Sequence, residues 1–186
     1  MQKCYRYDDE SKRLYITGCG TKIAERNAAV VQFCDDYSIK LSEFNVPIVI
    51  EPQVTECIEL LKDCKSFNQS VILSDGIKHC EYMFEGCEEF DQSVVLGMKI
   101  ENCNEMFLGC KSLNHRIEFM TYFKGGYYDC LKNCDKLQPE NVYIHMKKSA
   151  QRVINVCAIY GEQRNRNLIQ TLSGKKQKDE KLKLQN

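Results

Sequence analysis

The chain has 186 residues, enough for one ordinary domain to bury a core without bridges or metal. Its 26 Lys and Arg balance 26 Asp and Glu, so net charge gives no reason to expect a nucleic acid or another polyanion as partner. The balance is uneven, because seven basic and three acidic residues follow position 160, leaving residues 1–160 net negative by four.

At the N-terminus, Cys4 to Tyr7 and Leu14 to Thr17 alternate around Asp8-Asp9-Glu10-Ser11, which predicts a hairpin. Residues 1–33 fall outside the repeat described next and are read as an N-terminal cap. This end lacks the apolar core of a secretory signal, and no stretch approaches the ~18 apolar residues of a membrane span. A cytoplasmic protein without a membrane partner is expected, with association with a virion as the alternative.

From residue 34 a period sets in. Cys34, Cys57, Cys80 and Cys103 are spaced by 23, and Cys64, Cys87 and Cys110 form a second series with the same step. Phe44, Phe67, Phe90 and Leu113 keep phase with them, as do Ile48, Val71, Val94 and Ile117, and then Ile50, Leu73, Leu96 and Phe119. A fixed period in the twenties means stacked units, each giving a floor to the next. Within a unit, Val71-Ile72-Leu73 predicts a short strand with Val71 and Leu73 inward, and Ser74-Asp75-Gly76 predicts a turn. Cys80, Met83, Phe84 and Cys87 then fall at i, i+3, i+4 and i+7, which predicts a short helix or 3-10 turn packed behind the strand.

Met83-Phe84-Glu85-Gly86-Cys87 and Met106-Phe107-Leu108-Gly109-Cys110, with Phe67-Asn68-Gln69 and Phe90-Asp91-Gln92, resemble the BspA-like, or Treponema-type, leucine-rich repeats. The resemblance covers residues 34–134 as about four to five repeats. It departs where Leu41 stands for a cysteine, where Leu60-Leu61 replaces Met-Phe, and in a last unit of 24 residues ending at Cys134 with Cys130-Leu131 at the Met-Phe place. It implies an α/β repeat fold: a leucine-rich-repeat solenoid with short parallel strands on one face and short helices or 3-10 turns behind, capped at both ends. It implies no activity.

Beyond the repeats, Val142-Tyr143-Ile144 predicts a last strand. Val153, Val156, Cys157 and Tyr160 predict a helix, so residues 135–160 are read as a C-terminal cap. Residues 161–186 are basic and poor in apolar residues, and a flexible tail is expected. No aromatic follows Tyr160, so the stacking element of single-strand nucleic-acid binding is missing from it.

The twelve cysteines are the main chemical signal. Structural zinc draws on C-x2-C to C-x4-C knuckles, whereas the pairs 57/64, 80/87 and 103/110 are C-x6-C and follow the repeat. Buried thiols in columns about 5 Å apart are expected, with a disulfide ladder as the alternative in an oxidising compartment. His79, His115 and His145 fall in unrelated phases, so no catalytic residues, cofactor or metal ligands are assigned. Residues between the inward strand positions, Val49, Ile72, Val95 and Glu118, would line one face and form the candidate partner-binding stripe. The expected function is non-catalytic binding of another protein. The alternatives are a structural component of a phage or mobile-element particle, and a cysteine-rich metalloprotein or enzyme.

Overall fold

In the computed structural model, which describes residues 3–18, 28–120 and 126–144, the N-terminal alternation forms the expected hairpin. Strands β1 (Tyr5–Asp8) and β2 (Arg13–Ile16) pair antiparallel, Tyr5 opposite Ile16 and Asp8 opposite Arg13. Asp8 shapes the turn. Its Oδ1 accepts the backbone N–H groups of Glu10 and Ser11 at 3.0 and 3.4 Å, and its Oδ2 accepts the Ser11 hydroxyl at 2.6 Å. Tyr5, Leu14 and Ile16 point into the core, and β2 pairs in parallel with β3 (Ile48–Ile50), Leu14 opposite Ile48.

Between β2 and β3 lies a helix that the cysteine spacing conceals, α1 (Ala28–Tyr37), which buries Ala29, Val30, Phe33 and Cys34. It crosses the expected boundary between cap and first repeat at residues 33 and 34. Cys34 lies beside Cys64, so its 23-residue distance from Cys57 is not a structural equivalence. Phe33 stacks on Tyr37 at 4.5 Å and meets Tyr5, Tyr7 and Phe44 edge-on or tilted, which locks α1 under the hairpin.

A second sheet is wholly parallel. Strands β4 (Val94–Leu96), β5 (Ile117–Phe119) and β6 (Val142–Ile144) align with Val94 opposite Ile117 and Ile117 opposite Val142. Val94, Leu96, Ile117 and Phe119 are buried. Among the described residues the fold is thus mixed α/β with little helix. The expected strand at 71–73 corrects the sequence reading, since these residues join neither sheet. Val71 is nevertheless buried and Ile72 exposed, so the side chains alternate as expected without a ladder. Apolar alternation fixes where side chains point; a ladder also needs neighbouring backbones about 4.8 Å apart, which that pattern does not encode.

The segments behind the strands bury the expected face. Cys80, Met83, Phe84 and Cys87 are wholly inaccessible, as are Cys103, Met106, Phe107 and Cys110. Their backbone, however, is neither helical nor 3-10. It is a run of overlapping turns, in which Met83 N–H donates to Cys80 C=O at 3.3 Å, Glu85 to Tyr82 at 3.1 Å and Cys87 to Phe84 at 3.1 Å. The alternate N–H groups reach the following unit: Cys57 donates to His79, Glu59 to Glu81, Leu61 to Met83 and Asp63 to Glu85, all at 2.8–2.9 Å. The same set recurs from Cys80, Tyr82, Phe84 and Gly86, and again from Cys103, Glu105, Phe107 and Gly109. Two residues per unit have positive φ, at Glu59 and Asp63, Tyr82 and Gly86, Glu105 and Gly109, and Asp129 and Asn133. A right-handed helix does not accommodate them.

Inside, Phe44, Phe67 and Phe90 stack in a column with centroids 5.9 and 6.1 Å apart and planes within 10° of parallel. Phe84 and Phe107 form a second column at 5.3 Å. The core is therefore continuous from unit to unit.

Candidate binding face

The Phe-Asn-Gln motif sets the register of the units. Asn45 Oδ1 accepts the backbone N–H of Asn68 at 2.9 Å and Nε2 of Gln69 at 3.0 Å, and Asn68 Oδ1 accepts the N–H of Asp91 and Nε2 of Gln92 at 2.9 Å each. Asp91 Oδ1 then accepts the N–H groups of Asn114 and His115, and Asn114 Oδ1 that of Gln138. Each Asx side chain thus takes the place of a missing backbone acceptor for the next unit. Burial disfavours ionisation of Asp91, but hydrogen bonds from His115 and the Asn114 N–H, together with the His115 charge, outweigh it and hold the carboxyl below its ordinary value. Ion pairs repeat at the same step, Lys62 with Glu85 at 2.8 Å, and Glu88 between Lys65 at 3.2 Å and Lys111 at 2.9 Å.

The ten described cysteines are thiols, and all but Cys4 are buried. Cys87 Sγ donates to Leu61 C=O at 3.0 Å, Cys110 Sγ to Phe84 C=O at 3.1 Å and Cys134 Sγ to Phe107 C=O at 3.1 Å. A cysteine here is small enough for the column and carries one weak donor for the carbonyl of the preceding unit, a role that spacing alone does not disclose. Burial pushes the Cys34 thiol up in pKa to about 11, and those of Cys87 and Cys110 well above the ordinary thiol range. No group of three or more His, Cys, Asp or Glu that could hold a metal occurs among the described residues. His79 and His115 lie in separate places, His115 with Nδ1 2.8 Å from Asp91 and His79 in a parallel bridge with Asn102; His145 lies outside the described residues. The expected helix at 149–160 and the tail at 161–186 also lie outside them.

Of the expected stripe residues, Val49, Val95 and Glu118 sit at outward strand positions, while Ile72 lies outside any strand. Val49 is half-buried opposite Tyr15 in β2. Ile72 is 84 % exposed and Val95 is 51 % exposed. Val95 pairs with Glu118, which is half-buried against Arg116 at 2.5 Å. The register brings in residues that the sequence reading left out. Tyr143 continues the row beyond Glu118, and Tyr15 continues it beyond Val49. The Arg116 guanidinium lies 4.0 Å over the Tyr143 ring, and that of Arg6 lies 3.9 Å over the Tyr15 ring. The signal was in the chain, because Leu14-Tyr15-Ile16 and Val142-Tyr143-Ile144 copy the apolar-x-apolar triplet of Ile48-Val49-Ile50.

No helix among the described residues is long and apolar enough to cross a membrane. Comparison with known protein families, with curated proteins and with solved structures finds no match to this chain.

Proposed function

We propose that the chain is a non-catalytic protein-binding module, a solenoid of BspA-like leucine-rich-repeat type that presents the row from Tyr15 through Val49, Ile72, Val95 and Glu118 to Tyr143 to a partner protein. The observation that carries this reading is the exposure of Ile72 and Val95, Ile72 beside the buried Val71 and Val95 between the buried strand positions Val94 and Leu96. Exposed apolar side chains in a row with polar neighbours are a usual mark of a contact surface. The exposed Ser70 and Ser93 provide those neighbours, two residues from Ile72 and Val95. The cross-unit hydrogen bonds and the aromatic columns give the row a firm backing, which limits the conformational entropy lost on binding.

The test is the double substitution Ile72→Asp with Val95→Asp. Both side chains are exposed, so the thermal midpoint should stay near that of the parent, while a partner captured by the parent protein should be lost. Full partner capture by a folded double variant would refute the role of the row.

A further inference from the structure

The two ends of the exposed row are built alike. At one end Arg6 lies over Tyr15 and comes within 3.7 Å of Glu51; at the other Arg116 lies over Tyr143 and pairs with Glu118. Both arginines are about half exposed, at 56 % and 50 % of the side chain. Register and the two-residue offsets put Arg6, Tyr15 and Glu51 on the outward face of Val49 in the first sheet and Arg116, Glu118 and Tyr143 on the outward face of Val95 in the second, and both sheets close over one core. Between Tyr15 and Glu118 the row, Val49, Ile72 and Val95, carries no charge.

We infer that this face takes an extended segment of a partner protein with an apolar centre and an acidic side chain at each end. The inference rests on the binding reading proposed above and names the chemistry of its partner. The apolar row of Val49, Ile72 and Val95 is flanked by the exposed Ser70 and Ser93 on one edge and by Glu51 on the other. A helix, about 10 Å across, would lay apolar surface over these polar edges, whereas an extended chain covers a single row. Each guanidinium uses one face on a tyrosine ring and part of its edge on a glutamate. Its remaining N–H donors are held in a fixed plane ready for a second carboxylate. Only Tyr15–Val49, Val95–Glu118 and Glu118–Tyr143 are paired strand steps of about 4.8 Å, while stacked units between them repeat at 5.9–6.1 Å in the phenylalanine column, so Tyr15 and Tyr143 are about 25–30 Å apart. Same-face residues eight apart in an extended chain are about 27 Å apart, which fits that span, whereas residues six apart, at about 20 Å, fall short of it.

The experiment uses the full chain and fluorescent end-blocked peptides of nine residues. Their inner odd positions are apolar, and their first and last positions are both Asp, both Ser or both Lys. Asp-ended peptides should bind at least tenfold more tightly than Lys-ended ones, with a preference that shrinks as salt is raised. Arg6→Gln combined with Arg116→Gln should erase that preference and leave binding of the Ser-ended peptides as it was, in a protein whose melting temperature is unchanged. Equal binding of Asp- and Lys-ended peptides, with binding still lost in the Ile72→Asp, Val95→Asp variant, would overturn the acidic-end inference and leave the binding face standing. Recognition only of longer helix-forming peptides would overturn the extended mode. Binding by none of the peptides overturns the inference as a whole, and the partner-capture test above reports separately on the face.

Discussion

Asp91 occupies a ladder position held elsewhere by asparagine, which makes it a clean test of what that side chain does. Its Oδ1 accepts two backbone N–H groups, and an asparagine carbonyl accepts an equal number at Asn45, Asn68 and Asn114 when side-chain donors are included. Asp91→Asn should therefore change stability by less than about 0.5 kcal/mol, whereas Asp91→Ala should cost about 1–2 kcal/mol, measured by urea unfolding. Because its folded pKa is depressed, the Asp91 carboxylate adds stability above the unfolded value near 3.8, and that stability is lost as pH falls through the folded value. The Asn variant should accordingly lose less stability than the parent on acidification below about pH 4. At Phe84, stacked on Phe107 and inaccessible to solvent, substitution by Ala should cost about 3–5 kcal/mol; an unchanged unfolding midpoint would show that it is not core.

The buried face behind the strands was legible element by element, but its backbone was not. The i, i+3, i+4, i+7 spacing of Cys80, Met83, Phe84 and Cys87 suits a helix, and the same spacing serves a run of turns that closes every second residue and hands the others to the next unit. A decisive sign was present at one repeat position, where Asp63, Gly86, Gly109 and Asn133 are all residues that tolerate positive φ. Glu59, Tyr82 and Glu105 at the other positive-φ position carry no such sign, which is why the pattern passes for a helix. The two backbones make opposite predictions for Gly109→Ala. In a helix the change would stabilise by up to about 1 kcal/mol, whereas at φ +76° it should destabilise by about 1–2 kcal/mol. Calorimetric melting of that single variant decides between them. The strand positions were read more fully. The triplets at 48–50, 94–96, 117–119 and 142–144 all became strands, and only the triplet at 71–73 did not, since nothing in Val-Ile-Leu reports the distance to the neighbouring backbones.

Across the whole molecule, stability comes from one core shared by successive units, with aromatic columns and thiol columns running through it. The period in the sequence announced that continuity, whereas α1 escaped notice because Cys34 falls in phase with Cys57 by number while it packs beside Cys64. The tyrosine–arginine ends of the exposed row also went unread, as cross-strand neighbours are fixed by register and not by sequence distance. Thiols held protonated by burial make the fold sensitive to alkali. The unfolded chain ionises near the ordinary thiol value of 9.0 and the folded chain does so only at higher pH, about 11 for Cys34, so stability is full below 9 and falls as pH rises beyond it. Melting temperature should therefore decline steeply between about pH 9 and 11. The most direct test of this shared core is alkylation of unreduced protein, native and in denaturant, followed by peptide mapping. The account predicts that Cys64, Cys87, Cys103, Cys110 and Cys130 resist the reagent in the native protein, and that all ten described cysteines react once it is unfolded, without reductant. A disulfide-linked pair among them, or rapid native labelling of Cys87 or Cys110, would contradict it.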